Sequence, residues 1–170
     1  MNTSQIHLAL THVPVILSFV GLVALIVAIM RKNSSLTKTS FYIFLAAALF
    51  VIPVYLTGEG TEEVIEGLPG VAENIISKHE QFANVSLSIV LLCGVLSVIG
   101  LFLYNRQAIG KSIKYIVLFF AFGSAITMAR TAHLGGQIRH TEIRPAFVAG
   151  NTTETADQQA GKKSDKDGDD

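Results

Sequence analysis

Charged residues are scarce in this 170-residue chain. Lys, Arg, Asp and Glu together account for 15% of it, whereas hydrophobic residues account for 50%. The charges lie outside four apolar runs of roughly 18 or more residues, which is the length that a helix needs to cross a bilayer. The composition therefore predicts an integral membrane protein surrounded by lipid, and we expect no nucleic-acid partner.

Cysteine and the common catalytic motifs are also missing or nearly so. Cys93 is the single cysteine, so no internal disulfide can form, and no Cys-x-x-Cys-His is present for covalent haem attachment. The chain has no Gly-x-Ser-x-Gly, no His-Glu-x-x-His and no phosphate-binding loop. Four segments are too few for a typical secondary transporter. An electron carrier is therefore favoured over a stand-alone enzyme.

The order of the apolar runs predicts an all-α fold. The first ten residues contain no Lys or Arg, which is the reverse of a signal peptide, so the first run should stay in the membrane. Thr11 is a candidate cap before Pro14, and Thr57-Gly58 is a typical helix stop. Predicted helices cover residues 5–30, 39–57, 71–104 and 112–137 of a transmembrane domain at 1–148, with an acidic connection at 58–78 and a disordered tail at 149–170.

Basic residues mark two short connections. One holds Arg31, Lys32 and Lys38, and the other holds Arg106, Lys111 and Lys114. By the positive-inside rule both connections are cytoplasmic. We therefore expect an antiparallel up-down four-helix bundle in a bacterial inner membrane, with both termini and the acidic connection on the periplasmic side.

All five histidines fall at the outer ends of the predicted helices. In the third helix, small residues at positions 83, 86, 94 and 97 share a face with His79, so this face should point into the bundle. In the fourth helix, Ala125, Ala129, His133, Gly136 and His140 share a face by helical spacing. Alanine and glycine beside a histidine would leave room for a flat ring.

This pattern predicts a haem b site, because haem iron in a helix bundle takes imidazole ligands from different helices. The predicted cofactor-binding residues are His12, His79 and His133 for the iron, Gly136 beside the ring, and Arg130 and Arg139 at the propionates. Arginine suits the last role because its planar fork pairs with carboxylates. Zinc or copper binding by the same histidines is the competing interpretation, although no His-x-x-x-His pair is present.

The chain resembles a widespread family of small four-helix bacterial membrane proteins of unknown function. The resemblance lies in His12-x-Pro14, Thr57-Gly58, His79 and the stretch from Ala132 to Ile138. Some relatives are joined to c-type cytochrome modules, which implies a place in electron transfer, and the arrangement also looks like small b-type cytochromes. Arg139 departs from the family, in which an apolar or aromatic residue is more usual.

Together these observations predict a cytochrome b-like carrier between the quinone pool and a periplasmic c-type cytochrome or respiratory complex. A non-catalytic accessory subunit of an inner-membrane complex is the alternative, with the histidines making hydrogen bonds at an interface. The glutamates of residues 58–78 could guide a basic partner or could simply be a solvated loop.

Overall fold

The computed structural model describes residues 3–65, 73–104 and 107–144, and for residues 62–65, 107–111, 139 and 141 it describes the backbone alone. Within these ranges the chain is helical throughout, without strands. Its elements are α1 (Thr3–Leu10), α2 (His12–Met30), α3 (Ser34–Ile65), α4 (Glu73–Leu103) and α5 (Gln107–Arg139), followed by a 3-10 turn at Thr141–Ile143. The predicted tail at 149–170 and residues 66–72 of the acidic connection lie outside the described residues.

Four stretches are long and apolar enough to cross a membrane. They are Thr3–Met30, Ser34–Thr61, Glu73–Leu103 and Ser112–Ile138. The prediction of an all-helical protein with four apolar helices of membrane-spanning length is therefore confirmed for the described residues. At 1.5 Å per residue, α4 with its 31 residues is roughly 46 Å long, which exceeds the roughly 30 Å of a hydrocarbon core. This helix is thus longer than the hydrocarbon core is thick.

The helices pack in chain order around a ring. α3 packs between α2 and α4, and α5 closes the ring by packing against α4 and α2, while α1 lies on α3. This is the neighbour pattern of an up-down bundle. Side chains buried at alternating intervals of four and three residues form the core stripes, as in Pro14, Ser18, Gly21, Leu25 and Ala28 of α2 or Val117, Ala121, Ser124 and Met128 of α5. Such a 3.5-residue repeat keeps one seam facing the neighbouring helices.

Small residues allow the close approach of these helices. A Cβ added to Gly21 would lie 2.6 Å from the Phe44 ring, and one added to Gly100 would lie 2.6 Å from the Phe41 ring. Glycines of α2 and α4 therefore receive the two large rings of α3. Small residues at membrane-helix interfaces serve this purpose because dispersion contacts must replace the missing hydrophobic driving force.

Pro14 interrupts the first span. It lies in the first turn of α2, as predicted, and it is buried. Because proline has no N–H and its ring clashes with the carbonyl four residues earlier, the helix breaks at Thr11. The predicted capping role of Thr11 is wrong: its backbone is helical, and its hydroxyl donates to the His7 carbonyl instead of capping α2.

The second span does not end at Gly58, where the sequence predicted a stop, but continues to Ile65. The reason is the packing of α1. An added Cβ at Gly58 would lie 3.4 Å from His7 Cε1, and one at Gly60 would lie 2.9 Å from Thr3. The glycines are therefore contact points for α1, whose packing offsets the cost of about 1 kcal/mol that a helical glycine carries.

The two ends of the bundle differ in chemistry. At one end Lys38 lies 4.6 Å from the centre of the Tyr104 ring, so the connections after α2 and α4 share this basic end. At the other end His7 contacts α3 and His79 contacts α5. We call this the histidine end. It also holds the start of α1 and the end of α5, whereas its location on the periplasmic side stays a prediction.

Candidate functional site

His79 of α4 is held against α5 by two features. Its Nδ1 lies 3.0 Å from the backbone carbonyl oxygen of Thr131, and the ring is half-buried. A Cβ added to Gly135 would lie only 3.1 Å from His79 Cε1. In a helix each Cβ points toward the preceding turn, so its absence at Gly135 uncovers the Thr131 carbonyl four residues earlier. The glycine thus lets the imidazole reach the backbone.

His7 of α1 repeats this construction on α3. Its Nδ1 lies 2.9 Å from the backbone carbonyl oxygen of Val54, and the ring is half-buried. Gly58, four residues after Val54, is the glycine under the ring. The Thr57 hydroxyl lies 3.4 Å from the same nitrogen. Two histidines on different helices therefore share one pattern, a carbonyl acceptor followed four residues later by glycine.

This pattern decides the tautomer of both rings. A carbonyl can only accept, so Nδ1 must donate its hydrogen, which places the lone pair on Nε2 of His7 and of His79. Histidines that bind a metal or haem iron usually have the other ring nitrogen oriented in this way. The geometry therefore presents two oriented imidazoles at one end of the bundle.

His133 lies on a different side of α5. It is two residues from both Thr131 and Gly135, a rotation of about 200° around the helix axis, and so it faces away from His79. Its ring is exposed, and its Nε2 lies 3.1 Å from the amide nitrogen of Gln137 on the same helix. His12 is exposed at the first residue of α2. The structure thus does not bring these two predicted ligands together with His79.

Gly136 and Arg130, two further predicted site residues, make contacts with residues other than His79. Gly136 has only an ordinary contact, at 3.8 Å, with Ile143, so the room expected there belongs to Gly135. Arg130 is exposed and lies over the Phe82 ring, with its guanidinium carbon 5.7 Å from the ring centre. The side chain of Arg139 lies outside the described residues.

His140 pairs with a residue of the turn that follows α5. It is exposed and its Nδ1 lies 2.7 Å from a carboxylate oxygen of Glu142. Hydrogen bonds from the backbone of Glu142 and from His140 hold the pKa of this carboxyl group below its ordinary value. This pair lies in the turn after α5 and forms a local contact.

The number of metal-ligating side chains limits which metal or cofactor the site could bind. Among the described residues, no three His, Cys, Asp or Glu side chains are grouped so that they could bind a metal ion. A bare zinc ion requires three or four protein ligands. Haem needs only two axial ligands, because the porphyrin supplies four nitrogens. The two oriented imidazoles, on α1 and α4, equal in number the axial ligands that haem iron takes.

Comparisons with protein-family models, curated proteins and solved structures find no match to this chain. The family resemblance carried by His12-x-Pro14 and the end of α5 therefore stays a prediction.

Proposed function

We propose that this protein is a haem b-binding membrane protein that carries electrons between the quinone pool and a periplasmic acceptor. The axial ligands in this proposal are His7 and His79. The single observation that supports it is their shared construction, in which Nδ1 is bonded to a backbone carbonyl and the ring lies against a glycine. Bound haem would supply one-electron redox chemistry, which none of the described side chains provides alone.

The position of the two rings agrees with this function. Both lie in the parts of the helices near the outer limit of an apolar layer, where propionates of a bound haem could reach water. Electrons arriving from a membrane-soluble quinol could thus leave to an aqueous partner. Exposed carboxylates of Glu59, Glu73 and Glu80 occur at the same end and would favour a basic redox partner such as a c-type cytochrome.

The five histidines provide matched variants for a test. The protein is produced with haem supplied, purified in detergent, and examined by absorption spectroscopy in oxidised and reduced forms. We expect a Soret band in the parent protein, its loss in His7→Ala and His79→Ala, and its retention in His12→Ala and His133→Ala. Far-UV circular dichroism of each variant checks that the helices persist.

Other outcomes would replace the proposal. If the band is lost in His133→Ala and retained in His7→Ala, then His133, as predicted from sequence, is an axial ligand and His7 is not. A colourless protein that retains zinc or copper would be a metal binder, and a colourless protein that copurifies with respiratory subunits would be an accessory subunit. Either colourless result refutes haem binding.

A further inference from the structure

Arg130 and His133 form a polar pair on the outer surface of the bundle. Both are exposed, and they lie three residues apart on α5, so they are neighbours on one helical face. Gln137 is 8% exposed, and its amide nitrogen can only donate to His133 Nε2. The ring hydrogen of His133 is therefore on Nδ1 and faces outward. A guanidinium and an imidazole N–H thus come from neighbouring positions of one helical face at the histidine end.

An apolar groove lies below this pair in the seam between α4 and α5. Its volume is about 460 Å³, and it is lined by Ile89, Phe119, Phe120, Phe122, Gly123 and Ile126. Ile126 is one helical turn from Arg130, and Ile89 is two turns from Phe82, so the groove follows the same faces of both helices. Arg130 lies over the Phe82 ring, so it contacts both helices of this seam. Gly123 is roughly 10 Å below Arg130 along the helix axis.

We infer that this seam binds an anionic phospholipid, with its phosphate on Arg130 and His133 and an acyl chain in the groove. The charge and the shape both favour this occupant. An exposed arginine near the end of a membrane helix can extend to the depth of the lipid phosphates, and its fork pairs with two phosphate oxygens. The all-apolar lining below suits a hydrocarbon chain. This site faces lipid and does not depend on haem binding.

The test measures lipid binding to the detergent-solubilised full chain by native mass spectrometry. Phosphatidylglycerol is compared with phosphatidylcholine of the same acyl chains. We expect the parent protein to prefer phosphatidylglycerol by about fivefold or more, since one basic residue near an anionic lipid contributes about 1 kcal/mol. Arg130→Gln should lose most of that preference, and His133→Ala should reduce it.

Two further variants separate the head-group site from the groove. Lys38→Gln removes a cation stacked over an aromatic ring at the basic end and should leave the preference unchanged. Gly123→Leu should weaken both lipids alike by filling the groove. An unaltered preference in Arg130→Gln would overturn the proposal. Decylubiquinone that displaces phosphatidylglycerol from the parent protein would assign the groove to a neutral quinone and overturn it as well.

Discussion

The adjacent glycines Gly135 and Gly136 allow a sharp test of how His79 is held. Replacing a helical glycine by alanine normally stabilises a helix by roughly 0.5–1 kcal/mol. At Gly136 the new methyl group meets only an ordinary contact at 3.8 Å, so Gly136→Ala should gain this amount. At Gly135 the methyl group would lie 3.1 Å from the His79 ring, which must move by a few tenths of an ångström.

That movement weakens the bond between His79 and the Thr131 carbonyl, and a typical hydrogen bond contributes about 0.5–1.5 kcal/mol. Since both variants gain the same helix propensity, Gly135→Ala should be less stable than Gly136→Ala by about 0.5–1.5 kcal/mol. Far-UV circular dichroism during unfolding in mixed micelles measures the difference. Equal stabilities of the two variants would refute the placement of His79 against Gly135. If His79 binds haem, Gly135→Ala should also lower haem occupancy, whereas Gly136→Ala should not.

Two further predictions concern the bundle core and the redox partner. Gly94→Ala should destabilise the bundle by about 1–3 kcal/mol, because its Cβ would overlap that of Ala48 in α3. Gly123→Ala, with one ordinary contact at 3.4 Å, is the control, and equal unfolding midpoints would contradict the packing. Reduction of a basic c-type cytochrome by the haem-loaded protein should slow as salt rises, since the exposed carboxylates at the histidine end would steer this partner. A stopped-flow reduction rate that does not change with ionic strength would exclude electrostatic steering by these carboxylates.

The four membrane-length spans and their helical type could be predicted from sequence because hydrocarbon imposes a minimum length on apolar runs. The inward face of α4 was also predicted correctly: Ser86, Gly94 and Ser97 are buried, and His79 is half-buried on that face. Helix ends were harder to predict. Thr57-Gly58 is a typical helix-stop signal, yet the helix continues to Ile65 because α1 packs against it. A rule based on neighbouring residues cannot predict this contact between helices.

The face of α5 that carries His133 leaves the buried side of the helix beyond Ala125 for a geometrical reason. The prediction followed steps of four residues through Ala129 to His133, and both are exposed. The buried stripe instead alternates steps of four and three, through Met128 and Ile138. Two successive steps of four advance 800°, which is 80° beyond two full turns, and this drift moved His133 out of the bundle. Val54 and Gly58 are four residues apart, as are Thr131 and Gly135, and this spacing is visible in the sequence. It identifies a histidine contact only when the helix that packs against each pair is known.

The histidine end therefore contains two kinds of imidazole that sequence position alone does not separate. His79 faces a neighbouring helix and gives its Nδ1 hydrogen to a backbone carbonyl, whereas His133 faces outward beside Arg130. If these are two sites, their variants should separate cleanly. His79→Ala should abolish the haem spectrum and keep the lipid preference, while Arg130→Gln should keep the spectrum and lose the preference. A haem spectrum that changes in Arg130→Gln would instead mean that Arg130 pairs with a propionate, and the two sites would then be one.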